Sequence, residues 1–394
     1  MTEAWKEKVI GLTQSLIQSK SCSGEEGEIA SRLKEYMEQT GIYDDVKVDD
    51  YGNVIGHIKG ERPGKKILFD GHMDTVPVGN REDWKHDPFA SQIENGKLYG
   101  RGATDMKGAI AAFTVAAEIF AKECKKKFAG DIYIAGVVHE ECFEGVAARS
   151  ISDYVRPDYV VIGEASEMNL KIGQRGRAEI VVETFGVPAH SANPEKGVNA
   201  VYKMCKAVEA ISEIIPPEQK ILGKGIMELT DIKSAPYPGA SVVPEYCRAT
   251  YDRRLLVGET KESVLEPIIA KLEEIRAGDE EFKYEVSYAS GKERCYTGNE
   301  ITGERFFPGW LFDVDESYIK NVQEELRKLG FSPEITTYNF CTNGSHYAGE
   351  AGIKTIGMGP SCESLAHTID EYVEISELVG VSECYVGIMK ALLD

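Results

Sequence analysis

The sequence is poor in basic residues and contains no long apolar run. Its 45 lysines and arginines are outnumbered by 65 aspartates and glutamates, which gives a formal net charge of −20 at pH 7. Nucleic acids and anionic membrane surfaces both attract basic patches, so this charge argues against either as a partner. No apolar segment approaches the roughly 20 residues needed to span a bilayer. The acidic balance therefore indicates a solvated surface that aids solubility.

The sequence also has no C-x-x-C pair. Its nine cysteines are scattered singly, a pattern typical of reduced thiols in a cytosolic protein rather than of a disulfide framework. The opening residues 1–20 have the mixed charges of an amphipathic helix, not the pattern of a signal peptide. These features predict a cytoplasmic protein.

At 394 residues the chain is long for a single domain, so two domains are expected. Two helices, at roughly 3–19 and 25–39, precede short apolar strands such as "KKILFD" and "DIYIAGVV". An Ala-rich helix lies between those two strands. Apolar strands that alternate with helices predict an α/β fold with a mainly parallel, mixed sheet.

The pattern changes at about residue 177. From there to about 289, strands of alternating character, such as "EIVVETFG" and "EYCRATYDRRL", combine with two helices at about 196–214 and 259–276. This pattern predicts an α+β sandwich inserted into the first domain. Residues 1–176 and 290–394 would then form one discontinuous catalytic domain.

Histidine and carboxylate side chains follow the predicted strands of that first domain. Ligands of open parallel α/β sheets bind beyond the carboxyl ends of the strands, so we expect these side chains to lie close together. They are His72 and Asp74 after "ILFDG", Asp105 after "LYGRGAT", Glu140 and Glu141 after "YIAGVV", Glu164 after "YVVIG", and His367 after "TIGMGP". Each has an ordinary explanation when taken singly; Asp105, for example, could cap a helix. Independent accidents would not place all of them at corresponding positions.

The residue types indicate a metal site. Carboxylate oxygens and imidazole nitrogens suit Zn²⁺, Mn²⁺ or Co²⁺, and no clustered thiolates indicate a structural zinc site. One aspartate with two histidines and two glutamates can hold two ions if the aspartate bridges them. The adjacent Glu140 and Glu141 would be unfavourable at a strand end without a cation nearby. We therefore predict two divalent ions, Zn²⁺ foremost with Co²⁺ or Mn²⁺ as alternatives, and one carboxylate left over as general base.

At these residues the sequence resembles the M20 family of metallopeptidases and deacylases, over nearly its whole length. The motifs that carry the resemblance are "GHMDTVP", "LYGRGATDMKGAIAA", "HEE", "IGEAS", "GVPAHSANPEKGVNA", "YDRRLLVGET" and "AHTIDEYV". The family includes acetylornithine deacetylases, succinyl-diaminopimelate desuccinylases, glutamate-releasing carboxypeptidases and dipeptidases. Within it, the sequence looks most like the YgeY-type hydrolases linked to selenium metabolism.

The resemblance implies a role for each residue of the cluster. The implied metal ligands are His72, Asp105 and Glu164 for one ion, and Asp105, Glu141 and His367 for the other. Asp74 would orient the imidazole of His72, and Glu140 would act as general base. The family also tends to have a cis peptide bond after the bridging aspartate, here between Asp105 and Met106.

In the inserted domain, the resemblance makes His190 a lid histidine that reaches an active site, which in dimeric relatives belongs to the other subunit. The implied substrate contacts are Arg254, Ser241, Asn343 and Gly359. Arg254 would hold a substrate carboxylate, while its neighbour Arg253 should face the other side of the strand. Ser241 and Asn343 stand where many relatives have Asn and Asp, and these departures leave the identity of the substrate open.

The implied function is that of a dinuclear metal-dependent amidohydrolase, which cleaves an amide bond of an N-acyl amino acid or short peptide with metal-activated water. The resemblance also favours a homodimer formed through the inserted domain. One alternative keeps the metals but hydrolyses a ureido or carbamoyl amino acid. Another is a non-catalytic protein that binds metal or peptide on the same fold. A redox function through Cys142 is the weakest reading, because a lone thiol is usually inert.

Overall fold

The structure is a computed structural model that describes residues 2–393. Eight α-helices lie in these residues: α1 (Glu3–Ile17), α2 (Gly27–Thr40), α3 (Gly108–Glu123), α4 (Ala148–Val155), α5 (Ala200–Ser212), α6 (Lys261–Gly278), α7 (Ser317–Lys328) and α8 (Ile375–Leu393). The strands of the same residues are β1 (Asp45–Val48), β2 (Val54–Lys59), β3 (Arg62–His72), β4 (Ile93–Glu94), β5 (Lys97–Tyr99), β6 (Ala129–Val137), β7 (Tyr159–Ile162), β8 (Leu170–Gln174), β9 (Gly176–Phe185), β10 (Glu218–Gln219), β11 (Gly223–Lys224), β12 (Ile226–Ala235), β13 (Tyr246–Leu255), β14 (Lys283–Tyr288), β15 (Ser290–Arg294), β16 (Glu300–Glu304), β17 (Phe306–Phe307), β18 (Trp310–Leu311), β19 (Ile335–Tyr338), β20 (Lys354–Gly357) and β21 (Tyr372–Glu374).

The chain divides into two compact units. Unit 1 comprises Met1–Gln174, Lys292–Gly303 and Trp310–Asp394, and unit 2 comprises Arg175–Gly291 and Glu304–Gly309. The short segment Glu304–Gly309 returns to unit 2 because β17 pairs with β9 of that unit. A two-residue strand of this kind has no periodicity that the sequence could reveal.

A nine-stranded mixed sheet forms the centre of unit 1. Its strand order is β1-β2-β6-β3-β7-β20-β8-β18, with β19 also paired to β8. The four strands β6, β3, β7 and β20 run parallel to one another, whereas β2 and β8 join them in antiparallel fashion. The Ala-rich helix α3 packs against α8 and β3. The α/β class and the mixed, parallel-rich sheet are as predicted.

Unit 2 is built on the antiparallel sheet β12-β13-β9-β14, to which β17 adds a short strand on β9. Helices α5 and α6 bury apolar side chains against this sheet, in a core that includes Ile180, Met204 and Leu272. Burial alternates along β13, so Arg253 is buried while Arg254 is 32% exposed. The two arginines therefore face opposite sides of the strand, as the period of a strand predicts.

Two further properties bear on the kind of protein this is. Across residues 2–393, every helix is too short or too polar to cross a lipid bilayer. All nine cysteines are free thiols.

Candidate metal centre

Four parallel strands bring most of the predicted ligands to one edge of the unit 1 sheet. His72 is the last residue of β3, Glu140 and Glu141 follow the end of β6, and Glu164 follows the end of β7. The register aligns His72 with Val137 of β6, so these strands end at the same level. His367 lies in the connection between β20 and β21. Because β6, β3, β7 and β20 are neighbours, the loops that follow them meet.

Asp105 reaches the same place by a different route. The strand that precedes it, β5, belongs to a small sheet with β4 and β21 rather than to the central sheet. Asp105 does not begin a helix, because its φ and ψ are −127° and 90° and α3 starts only at Gly108. A role as N-cap of α3 is thereby excluded. The peptide bond between Asp105 and Met106 is cis, as predicted.

The Asp105 carboxylate lies between two imidazoles. Its Oδ1 is 2.8 Å from Nε2 of His72, and its Oδ2 is 3.1 Å from Nε2 of His367. The remaining carboxylates lie beside the same two imidazoles: Glu164 Oε1 is 3.5 Å from His72 Nε2, and Glu141 Oε2 is 3.1 Å from His367 Nε2. An aspartate that turns one oxygen towards each imidazole has the arrangement of a bridging ligand.

The cluster is buried and rich in negative charge. Burial raises the pKa of Glu140 and Glu164 well above the usual range, and neighbouring carboxylates add to the effect. Burial alone would lower the pKa of His72, but Glu164 and Asp105 outweigh it and raise that pKa. Uncompensated buried carboxylates are costly. A divalent cation removes this cost.

The donor set therefore fits metal ions. Two groups of donor atoms lie close enough to share an ion: His72, Glu140 and Glu164, and His72, Asp105 and Glu141. Oxygen and imidazole donors without thiolates suit Zn²⁺, Co²⁺ or Mn²⁺. Glu140, the predicted general base, lies within the first of these groups.

The contacts of Asp74 differ from the predicted ones. The orienting oxygen for His72 is the main-chain carbonyl oxygen of Asp74, 2.8 Å from His72 Nδ1, whereas its carboxylate Oδ1 is 3.7 Å from that nitrogen. The carboxylate instead accepts the main-chain N–H groups of Glu140 and Glu141, at 3.0 and 3.1 Å, and the hydroxyl of Ser23 at 2.7 Å. Asp74 thus orients the two glutamates directly.

Two of the predicted substrate-contact residues, Asn343 and Gly359, make hydrogen bonds within unit 1. The buried amide of Asn343 donates to Asp70 at 2.9 Å and accepts the N–H group of Gly145 at 2.8 Å. The N–H group of Gly359 donates to Ser166 Oγ at 2.9 Å. A Cβ atom on Gly359 would come within 2.4 Å of the Glu164 carbonyl oxygen, so only glycine fits there. The hydrogen bonds of both residues therefore stabilise the loops around the ligands.

The other predicted site residues lie in unit 2. His190 is exposed, and its Nδ1 accepts the N–H group of Ala192 at 3.0 Å. The proton of the neutral ring is therefore on Nε2. Ser241 adopts a left-handed φ of 55°, and its carbonyl oxygen accepts the N–H group that follows His190 in the chain. Arg254 Nε lies 3.0 Å from Asp252 Oδ1.

One buried carboxylate in the neighbourhood was not assigned a role from the sequence. Glu371 accepts hydrogen bonds from the main chain at Thr104 and Asp105 and from the side chain of Arg101. Glu371 lies inside the motif "AHTIDEYV", so the motif was a signal that could have pointed to this residue. Nothing in the sequence showed which main-chain groups it contacts.

Comparisons with known proteins show the family to which the chain belongs. The family model described as Peptidase family M20/M25/M40 matches residues 68–391. The protein YgeY of Escherichia coli K12 is 32% identical over 377 residues, which cover 94% of this chain and 91% of that protein. Succinyl-diaminopimelate desuccinylase 2 of Ruegeria sp. TM1040 is 27% identical and covers 97% and 94% of the two chains.

Solved structures show the same fold. Aminopeptidase PepT from Bacillus cereus superposes with a TM-score of 0.75 at 20% identity and 98% coverage of both chains. The Bacillus subtilis protein YXEP, described as a dinuclear metal binding peptidase from the M20 family, has a TM-score of 0.72 at 13% identity and 99% coverage of both chains. With a matched family model over most of its length, the chain belongs to peptidase family M20/M25/M40 and is a hydrolase of peptide or amide bonds.

Proposed function

We propose that the protein is a dinuclear metal-dependent amidohydrolase that cleaves an amide bond of an N-acyl amino acid or a short peptide. The observation that carries this proposal is the Asp105 carboxylate, which turns one oxygen to His72 and the other to His367 within a buried acidic cluster. The similarity to a desuccinylase and to a dinuclear metal binding peptidase supports the same reaction class.

In this proposal Asp105 would contribute to both metal sites. His72, Asp105 and Glu164 would hold one ion, and Asp105, Glu141 and His367 would hold the other. Zn²⁺ is the proposed metal, with Co²⁺ or Mn²⁺ as alternatives, because the donors are carboxylate oxygens and imidazole nitrogens. When bound, such a pair lowers the pKa of water and polarises the carbonyl group of the substrate.

Glu140 is the proposed general base. It is buried, adjacent to Glu141, and its main-chain N–H group is fixed by Asp74. Burial and the surrounding carboxylates raise the pKa of Glu140. A carboxylate with a raised pKa is a stronger base and can keep the proton until the amine departs. Glu140 would take a proton from the attacking water and transfer it to the departing amine. Proton transfer of this kind contributes typically 10²- to 10⁴-fold to the rate, as an order of magnitude.

Unit 2 would supply the groups that recognise the substrate. We assign to His190 the stabilisation of the developing oxyanion, because its hydrogen-bonded Nδ1 leaves a proton on Nε2 to donate. A single donor in this role is worth about 2.7–4 kcal/mol in comparable sites. Arg254 would bind a carboxylate of the substrate, with Ser241 as a further polar contact.

The proposed assembly is a cytoplasmic homodimer formed through unit 2. Strand β12 lies at one end of the unit 2 sheet and carries the exposed side chains of Ile226 and Ile232. An exposed edge strand is a template for pairing with another chain. The nine free thiols support a reducing compartment.

Metal uptake and hydrolysis test this function together. The metal-free protein is supplied with Zn²⁺, Co²⁺ or Mn²⁺, and N-acyl amino acids, dipeptides and N-carbamoyl amino acids are then compared as substrates. We expect two ions per chain and hydrolysis of an N-acyl amino acid or dipeptide. Exclusive cleavage of N-carbamoyl amino acids would select the ureido alternative. Stoichiometric uptake without hydrolysis of any class would identify a binding protein.

The Glu140→Gln variant tests the base. Glutamine keeps the size of the side chain but cannot take the proton, so the variant should bind two ions and lose about 10²- to 10⁴-fold in kcat. A fully active Glu140→Gln protein would rule out the mechanism, and the absence of ion uptake by the parent protein would rule out the metal centre.

A further inference from the structure

Glu371 is a fully buried carboxylate four residues after His367, immediately before β21. Its side chain is 0% exposed. A carboxylate without solvent must be compensated by hydrogen bonds or by positive charge. Its partners show what the residue connects.

Both oxygens of Glu371 are bonded to the segment that carries Asp105. Oε1 accepts the main-chain N–H groups of Thr104 and Asp105, at 2.8 and 3.1 Å. Oε2 accepts a hydrogen bond from Nη1 of Arg101 at 2.6 Å. The main-chain oxygen of Glu371 accepts the N–H group of Gly100 at 2.9 Å. A single residue therefore joins residues 100–105 to the chain that follows His367.

Further bonds hold the same two segments together. The hydroxyl of Thr104 donates to the carbonyl oxygen of Tyr372 at 2.6 Å and lies 2.8 Å from Ser361 Oγ. Strand β21 then pairs with β5, with Tyr372 opposite Tyr99. The Asp105 segment and the chain that follows His367 are thus joined by several hydrogen bonds and by strand pairing.

The two segments contribute ligands to the same proposed ion. His367 is 51% exposed and has a left-handed φ of 62°, so packing of its own side chain constrains it little. Its distance from Asp105 depends instead on how the main chain is anchored. His72 and Glu164, by contrast, follow β3 and β7, which the central sheet holds in register.

We propose that Glu371 is a positioning residue that sets the affinity for the ion held by Asp105, Glu141 and His367, with little effect on the ion held by His72, Asp105 and Glu164. This inference rests on the proposed dinuclear function. It assigns to Glu371 no contact with metal or substrate. Its effect is transmitted mainly through the loop of His367. The other ion also uses Asp105, but its remaining ligands His72 and Glu164 follow strands that the central sheet holds in register, so its affinity should change little.

The substitution Glu371→Gln changes this anchor with little change of shape. The amide has a single acceptor oxygen, which can accept either from Thr104 and Asp105 or from Arg101. In either orientation the amide nitrogen faces the N–H donors of the other set, so the anchor is weakened. Loss of an outer partner of metal ligands typically costs 10- to 100-fold in metal affinity, as an order of magnitude. We expect the second ion to bind about 10- to 100-fold more weakly and the first to bind as in the parent.

Asp370→Asn is the matched control. Asp370 precedes Glu371 and is also an acceptor of main-chain N–H groups, at 2.9 Å from Lys85 and 3.0 Å from His86, but it does not hold the Asp105 segment. A general effect of loosening this loop would appear in both variants. A specific effect of the Asp105 anchor would appear only in Glu371→Gln.

The experiment is a Co²⁺ titration of the full-length metal-free protein, followed by calorimetry and by electron paramagnetic resonance. In the parent, a magnetically coupled pair should form as the second equivalent binds. In Glu371→Gln the first equivalent should bind normally, and the coupled signal should require about 10- to 100-fold more free Co²⁺. Equal weakening of both ions, unchanged affinities, or the same effect in Asp370→Asn would each overturn the inference.

Thr104→Val decides the matter if Glu371→Gln does not fold. Valine has the shape of threonine but lacks the hydroxyl that joins Tyr372 and Ser361, so the second ion should again bind more weakly. Unchanged binding in a folded Thr104→Val protein would then overturn the inference. If the parent itself takes up no ions, the proposed function fails, whereas two ions bound by every variant with the affinities of the parent refute only the role of Glu371.

Discussion

The Asp74 carboxylate accepts the main-chain N–H group of Glu140, with 3.0 Å between Oδ1 and the nitrogen. Its other oxygen accepts the N–H group of Glu141 and the hydroxyl of Ser23. The main-chain oxygen of the same residue lies 2.8 Å from Nδ1 of His72. Asp74 therefore fixes the direction of a proposed base and of a proposed ligand at once.

The first prediction concerns this double role. Asp74→Asn replaces one of the two acceptor oxygens by an amide nitrogen, so the N–H group of either Glu140 or Glu141 loses its acceptor. We expect kcat to fall about 10- to 100-fold, the usual cost of losing a partner that orients metal ligands. Steady-state kinetics and ion counting on the same preparation check this expectation.

Ser23→Ala is the control for Asp74. It removes one hydrogen bond to the carboxylate, worth about 1.5–3 kcal/mol, and leaves both N–H groups of the glutamates bonded. Its kcat should stay much closer to that of the parent. If Asp74→Asn and Ser23→Ala behave alike, the carboxylate does not orient Glu140.

These contacts mark the limit of what the sequence could predict. The period of the apolar strands predicted the α/β class, because buried parallel strands leave a clear pattern. The same pattern showed that His72, Glu140 and Glu164 each follow such a strand, and this predicted that they lie close together. The partners of Asp74 and Glu371 could not be predicted, because they are main-chain N–H groups, which every residue type except proline carries.

Asp105 shows a second limit. The sequence placed it after a strand, which is confirmed, and at the start of a helix, which is wrong. Its strand, β5, lies outside the central sheet, and the chain leaves helical geometry at Asp105 itself. The eight residues between β5 and α3 carry no periodic signal. The residue types allowed a bridging aspartate, and only the resemblance to a family identified it as Asp105.

The second prediction concerns protonation of the metal-free site. Hydrogen bonds to Asp105 and Glu141 raise the pKa of His367 from 6.5 to about 10. Because the folded pKa exceeds the unfolded one, the stabilisation from this proton is fully present below about pH 6.5 and is lost as the pH rises through about 10. We expect His367 to be an imidazolium at pH 8 in the metal-free protein. Addition of a divalent ion should deprotonate it, because only neutral imidazole is a ligand.

Nitrogen-15 resonances of the histidine rings measure this directly. The His367 signal is identified by its absence in His367→Gln. Glu141→Gln should lower the pKa of His367, because the variant removes one of the two negative charges beside the ring. A neutral His367 ring at pH 8 in the metal-free parent would contradict the prediction.

The third prediction tests the proposed carboxylate contact of unit 2. Arg254→Met removes the guanidinium but keeps an extended side chain. Hydrogen bonds to charged groups are worth about 1.5–3 kcal/mol, which corresponds to an increase in KM of about 10- to 100-fold. For substrates whose carboxylate is esterified, the parent and Arg254→Met should have similar KM values. The ratio of KM values for free and esterified substrates, measured on parent and variant, is the test.

Arg248→Met is the matched control for Arg254. Arg248 lies on the same strand and, six residues away, on the same face of β13. The arginines that contact Asp252 are Arg177 and Arg254, each with its Nε 3.0 Å from a carboxylate oxygen. Arg248→Met should therefore leave KM near the parent value. An equal rise in both variants would indicate a general electrostatic effect of lost positive charge.

The fourth prediction concerns assembly through β12. Ile232 is 48% exposed on this edge strand, and in a dimer that pairs through β12 its side chain would be buried. A charge buried without a partner is strongly unfavourable, so Ile232→Glu should convert the dimer to a monomer at micromolar concentration. Ile269→Glu places the same charge on α6, at a side chain that is 39% exposed, and should leave the dimer intact. Sedimentation equilibrium distinguishes the two masses. If both variants dissociate, the effect of Ile232→Glu is not specific to β12 and the dimer interface does not lie there. A monomeric parent would exclude the proposed dimer.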